Sequence, residues 1–222
     1  MTLSPARADM AEILRLGTGN LLYDGEDGMI LLSPDGAMLT SDMQSGERLC
    51  ALIRTLCPTL PEVFSIKNER VAEMLLREFS LHSSTRCTQW VYEKSEPPFP
   101  VAAEIRPLTM AHAAFAASVY HDGEGSYIRD RIGNGALWGM FEGEQLAGFA
   151  GFHAEGSMGM LEILPPFRRR GYAMQLEVFL IAAALKAGRI PYCHVIDGNE
   201  ASLRLQQRLG LTCADLPAIW ID

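Results

Sequence analysis

The chain has 222 residues, 48% hydrophobic and 21% charged, which excludes a disordered chain and leaves room for one large or two small domains. Its formal net charge of -8 excludes broad attraction to nucleic acid or anionic lipid, because neutralising phosphate takes a surplus of Lys and Arg. Five cysteines, Cys50, Cys57, Cys87, Cys193 and Cys213, form no C-x-x-C pair, so buried thiols are expected rather than a disulfide framework or a metal site.

Arg7, Asp9 and Glu12 interrupt the apolar residues of the N-terminus, unlike the continuous core of a signal peptide. The longest apolar run, 178–185, is far short of a membrane span. A cytoplasmic protein with no membrane partner is the expectation.

In chain order, residues 3–16 read as a helix, and 21–23 and 29–32 as short strands around a Gly-Glu-Asp-Gly turn. Pro34-Asp35-Gly36 turns the chain into another strand. A helix is expected over 46–56, a strand over 63–66, a helix over 69–79 and a strand over 88–92. The Pro-rich stretch that follows, Ser95 to Pro100, favours extended chain. It sets the expected organisation: an α/β domain over 1–96, a linker over 97–101 and a second domain over 102–222.

Beyond the linker the periodicity predicts a strand over 104–106, a helix over 110–120, and strands over 136–141 and 146–153 joined by a hairpin at Glu142-Gly143-Glu144-Gln145. The polar, Gly-rich section 121–134 reads as a surface loop or as the rim of a substrate mouth. One internal parallel stands out: 64–68, a helix and 88–91 match 194–199, a helix and 218–221 in pattern. That fits either two ordinary strand-helix-strand units or a first half that is a degenerate copy of the second, without its own cofactor.

An apolar strand over 158–164 then meets Pro165 and Pro166, a basic turn Arg168-Arg169-Arg170-Gly171-Tyr172-Ala173, and a long apolar helix. The first N–H groups of a helix lack intrahelical partners and sit at its positive dipole end, so a turn of small residues there offers them to an anion. A nucleotide-hydrolysing loop needs Lys and Ser or Thr after the last Gly, and a dinucleotide loop needs more glycines. Neither fits. Downstream, a strand-like 192–196 leads through Asp197, Gly198 and Asn199 into a helix over 200–209 closed by Gly210.

The form Arg168-x-x-Gly171-x-Ala173 and the closing Asn199 to Gly210 unit together resemble the GNAT superfamily of N-acetyltransferases, over roughly the last 120 residues. Within it the chain is most similar to the FR47-like and glycine N-acyltransferase C-terminal group. The resemblance implies a mixed α/β fold with a central, mostly antiparallel sheet. It also implies direct transfer of an acyl group from acetyl-CoA or another acyl-CoA co-substrate to the amine of a small molecule, without a metal and without nucleic acid; a homodimer is the candidate assembly. A non-catalytic acyl-CoA-binding module is the alternative.

The resemblance places cofactor contacts at Ile163, Leu164, Arg168, Arg169, Arg170, Gly171, Tyr172, Ala173, Asn199 and Ser202; capping of the closing helix alone would also explain Asn199. Glu162 is the leading candidate base, because desolvation in an apolar strand disfavours a charged carboxylate; an ion pair with a neighbouring Arg would explain it equally. Strand alternation puts Met158, Met160 and Glu162 on one face. Glu155 and His153 are alternative bases. Many members carry a Tyr in the closing helix as the acid, where this chain has Gln206, which cannot release a proton. Tyr192 and His194 are the candidates to replace it.

Overall fold

The computed structural model describes residues 4–120 and 125–222; the expected helix start at residue 3 and positions 121–124 of the expected mouth lie outside these. The chain clusters into two compact units, one of Met1–Val91, His194–Glu200 and Thr212–Asp222, the other of Tyr92–Cys193 and Ala201–Leu211. The C-terminal half thus contributes strands to the first unit. The fold is mixed α/β with mostly antiparallel strands.

The first unit opens with a 3-10 turn, Pro5–Arg7, and α1, Ala8–Leu16, which stops at Gly17 in the left-handed conformation. The strands β1 (Asn20–Gly25), β2 (Gly28–Leu32), β3 (Met38–Ser41), β4 (Val63–Ile66) and β5 (Ser84–Val91) join β10 (Tyr192–Ile196) and β11 (Thr212–Ile221) in one sheet, ordered β1-β2-β3-β4-β11-β5-β10. Two helices return the chain between strands. In α2 (Gly46–Leu56) the Ser45 side chain accepts from Arg48 N, and in α3 (Glu69–Glu78) Asn68 accepts from the Arg70 and Val71 N–H groups, satisfying donors that a helix start leaves orphaned. Leu49 and Ile53 of α2 and Val71 and Leu75 of α3 pack with Leu39, Phe64 and Ile66 as a buried core.

In this sheet β11 lies antiparallel on both β4 (Trp220↔Ser65) and β5 (Ala218↔Cys87), while β10 borders β5. The last strand of each half therefore sits beside strands of the other half, in the same order that the internal sequence parallel follows.

The second unit holds a four-stranded antiparallel sheet, β6 (Ile105–Pro107), β7 (Leu137–Glu142), β8 (Gln145–Phe152) and β9 (Met158–Ile163), in that order. On one face α4 (Met110–Val119) and α5 (Gly125–Gly133) bury Ala113, Ala116, Ile128 and Ile132 against Leu137, Phe149 and Met160. On the other, α6 (Tyr172–Lys186) brings Phe179 to Trp138, which also meets Phe152 edge-on. The helix α7, Glu200–Leu209, belongs to this unit from Ala201 on.

Over its described part, Gly125–Gly133, the helix α5 corrects the expected loop. Its polar residues Arg129, Asp130 and Arg131 masked the spacing of Ile128 and Ile132, four apart and both buried, which is the helical period. All five cysteines are free, and two depart from the expected burial: Cys57 is half-buried and Cys213 exposed. Among the described residues no helix is long and apolar enough to cross a membrane, and no group of three or more His, Cys, Asp or Glu is placed to hold a metal ion.

Candidate active site at the turn from β9 into α6

Strand β9 is an edge of its sheet, pairing β8 on one side only, so its outer backbone groups have no strand partner. The ladder is also irregular. Phe149 lies opposite Glu162 and Gly151 opposite Gly159, so Met160 and Leu161 face one residue of β8, and Met160 takes φ 52°. A left-handed non-glycine residue costs about 1 to 3 kcal/mol and is kept where surrounding structure fixes it; here Met160 is held in the α4–α5 core.

This bulge overturns the expected alternation. Met158 pairs with Phe152, while Glu162 pairs with Phe149, one register step out of phase, so Met158 faces the side of α6 and Met160 and Glu162 the other. Strand alternation holds only while the pleat is continuous. Gly159, inside an apolar strand, was the sequence signal for it.

After β9 the chain makes the 3-10 turn Pro165–Phe167, with Phe167 buried. Arg169 has φ 64° and Gly171 φ 80°, and these two left-handed residues carry the backbone into α6. No side chain caps α6, and its first turn holds no acidic residue. A Cβ built on Gly171 would meet nothing within 4 Å. The start of α6 is thus an uncapped, sterically open set of backbone donors, the arrangement that suits a diphosphate.

The three arginines are not equivalent. Arg168 donates from Nε to Ile163 O at 2.8 Å and from a terminal nitrogen to Glu162 Oε1 at 3.0 Å. Arg170 pairs with Glu142 at 3.0 Å and donates to Pro166 O, and the Tyr172 hydroxyl also donates to Glu142. Arg169 has no ion-pair or hydrogen-bond partner among the described residues, which leaves its exposed guanidinium as the uncommitted cation of the turn. Sequence reasoning passed over Glu142, which braces Arg170 and Tyr172; nothing in its hairpin position signalled that contact.

The remaining candidates fall in both units. Glu162 carries the ion pair with Arg168 and is 25% exposed. In the same unit the buried Tyr192 donates its hydroxyl to Glu155 O at 3.0 Å, and the Glu155 carboxylate accepts from Ser157 Oγ. His153 Nδ1 lies 3.0 Å from the Tyr127 hydroxyl, which accepts from Ala154 N. Burial, with Glu155 nearby, pushes Tyr127 up to about 12. Ser202 is half-buried in the first turns of α7. Gln206 is buried and donates to Glu177 Oε1 of α6.

His194 and Asn199 belong to the first unit. His194 Nε2 is 2.8 Å from Gln89 Oε1. Because Gln89 Nε2 donates to Pro5 O, its oxygen is fixed toward His194, and the proton sits on His194 Nε2. Asn199 stands before α7, with its N–H on Ile196 O.

Residues 138–221 match the family described as FR47-like protein. No curated protein matches the sequence significantly. Among solved structures, a Drosophila protein is similar at a TM-score of 0.64 and 19% identity, covering 87% of this chain and 73% of that one. A GCN5-related N-acetyltransferase from Kribbella flavida gives 0.61 and 14%, covering 100% and 96%. A tandem GNAT protein from the clavulanic acid biosynthesis pathway gives 0.50 and 14%, covering 97% and 87%. The chain therefore has the fold of the GNAT acetyltransferases, and its match to the FR47-like family covers residues 138–221.

Proposed function

We propose that the protein is an acyl-CoA-dependent N-acyltransferase that moves an acetyl or other short acyl group from CoA to the primary amine of a small molecule. One observation carries the reading: an edge strand with a bulge at Met160 runs directly into the uncapped, glycine-opened start of α6. The N–H groups of Gly171, Tyr172 and Ala173, with Arg169, would hold the diphosphate. The outer edge of β9 at Ile163, whose carbonyl also takes Arg168 Nε, would face the pantetheine arm, and Leu164, with its N–H turned inward onto Ala147 O, would line it. Ser202 is the proposed contact from α7. The co-substrate supplies the activated thioester carbonyl when bound.

Glu162 is the proposed base for the acceptor amine. Its carboxylate is oriented by Arg168, which Ile163 O anchors in turn. Glu162→Gln is expected to lower turnover about a hundredfold, within the usual range for a general base, and to leave acetyl-CoA affinity nearly unchanged. Thiol release with a panel of amines, beside calorimetry, checks both halves; unchanged turnover removes Glu162 from the mechanism. Glu155 and His153 stay as proposed alternative bases and Tyr192 as the proposed acid of the same unit, each to be tested in the same assay.

The second reading, a non-catalytic acyl-CoA-binding module, draws support from Gln206, an amide at the family's acid position whose donor is committed to Glu177. Tight acetyl-CoA binding without thiol release across a broad amine panel would favour it.

In either reading the first half is proposed to be a degenerate copy without a co-substrate site of its own. There β3 and β4 are zipped by a parallel ladder from Met38↔Val63 to Ser41↔Ile66, whereas β9 and β10 fall in separate sheets. The start of α2 is capped by Ser45 and carries Glu47 in its first turn, and both disfavour a bound anion. Calorimetric titration with acetyl-CoA is expected to give one site per chain; two sites would overturn this.

A further inference from the structure

Outside the proposed site, α6 and α7 bury a carboxyl against an amide. Glu177 is 3% exposed and Gln206 2%. The Gln206 amide donates to Glu177 Oε1 at 3.4 Å, while Glu177 Oε2 and Gln206 Oε1 are buried without a partner. With an ionised carboxylate, these two leftover atoms are both acceptors, and each buried acceptor without a donor costs about 1 to 3 kcal/mol. A single proton on Glu177 Oε2 supplies the missing donor and makes the two groups complementary at both ends.

We propose that Glu177 and Gln206 form a proton-binding site in which one proton, held on Glu177, closes a two-point acid–amide pair tying α7 to α6, and that loss of this proton opens the pair. The inference goes beyond the acyl-transfer reading and does not depend on it.

The surroundings favour the neutral acid. From β10 the Cys193 thiol faces the carboxyl, and burial with Glu177 nearby pushes that thiol well above its ordinary range, so it stays uncharged. Under α6 the sheet presents Ala150, Phe152 and Met158, all buried and apolar. Burial raises the Glu177 carboxyl to about 7, against the pull of the Gln206 bond. A carboxyl raised on folding binds its proton more tightly in the folded state. Its contribution to stability is therefore complete below the ordinary carboxyl range and is lost as pH rises to about 7.

Glu177→Gln supplies the test, because a second amide reproduces the two-point pair without a titrating proton. From about pH 5 to about pH 8, the wild-type folding constant in urea is expected to fall on the order of a hundredfold relative to that of E177Q. An infrared band of a protonated carboxyl is expected in the wild type at mildly acid pH and absent from E177Q. Parallel stability curves for the two proteins, or no such band in the wild type, would overturn the site. If E177Q does not fold, Gln206→Leu replaces it: the titration midpoint of the wild-type band moves if the groups are paired, and an unmoved midpoint overturns the pairing.

Discussion

Gly171→Glu is expected to lower acetyl-CoA affinity at least a hundredfold while the protein stays folded. The fold tolerates the change because a Cβ at this position meets nothing within 4 Å. The left-handed backbone, φ 80°, costs a non-glycine residue about 1 to 2 kcal/mol, and a carboxylate beside a helix start returns about 0.3 to 1 kcal/mol through the dipole. Binding has no such compensation. The same carboxylate would stand among the donors assigned to the diphosphate, and would draw Arg169, the turn's uncommitted cation, into an internal pair. Gly171→Ala separates the effects, since it carries the backbone cost without the charge and is expected to lose far less affinity. Calorimetry with acetyl-CoA and thermal unfolding of both variants check this. Undiminished binding in Gly171→Glu would move the co-substrate away from α6.

Much of this turn was legible in the sequence because each part is local. Pro165 and Pro166 end a ladder, Gly171 opens a helix, and a fifteen-residue apolar helix follows. Asn68 and Ser45 cap their helices through bonds to neighbouring backbone, which is also local chemistry. What escaped depended on partners distant in sequence. The bulge in β9 exists only relative to β8, the bracing of Arg170 needs Glu142, and Gln206 acquires its meaning from Glu177, 29 positions away. Gln206 read alone was a missing acid; beside a buried carboxyl it is half of a proton site. The placement of β10 and β11 with the first unit has the same origin, because no local pattern states which strand of one half pairs with which of the other.

The largest effect on stability is expected at the buried Asp9–Lys67 ion pair, from Asp9→Ala. Lys67 Nζ lies 2.6 Å from Asp9 Oδ2 with both side chains essentially inaccessible, and it donates to Gln89 Oε1 at 2.7 Å. The same Gln89 oxygen takes the His194 bond, and Gln89 Nε2 holds Pro5 O at 2.6 Å, so one ion pair ties the N-terminal turn and α1 to β4, β5 and β10. Removing Asp9 leaves an ammonium in apolar surroundings with one neutral acceptor, and breaking a buried pair in this way costs about 3 to 5 kcal/mol. That is a large share of the 5 to 15 kcal/mol that holds a typical domain folded. Lys67→Met alone is expected to cost less, because the carboxylate left behind keeps the Met10 N–H, which donates to Asp9 Oδ1 at 2.9 Å. The double variant Asp9→Leu, Lys67→Met is expected to recover most of the loss, since the desolvation of both charges disappears together. Urea unfolding of the wild type, Asp9→Leu, Lys67→Met and the double variant gives the coupling directly. Additive losses would mean that Lys67 finds solvent once Asp9 is gone, and that the network does not fasten the N-terminal segment to the sheet.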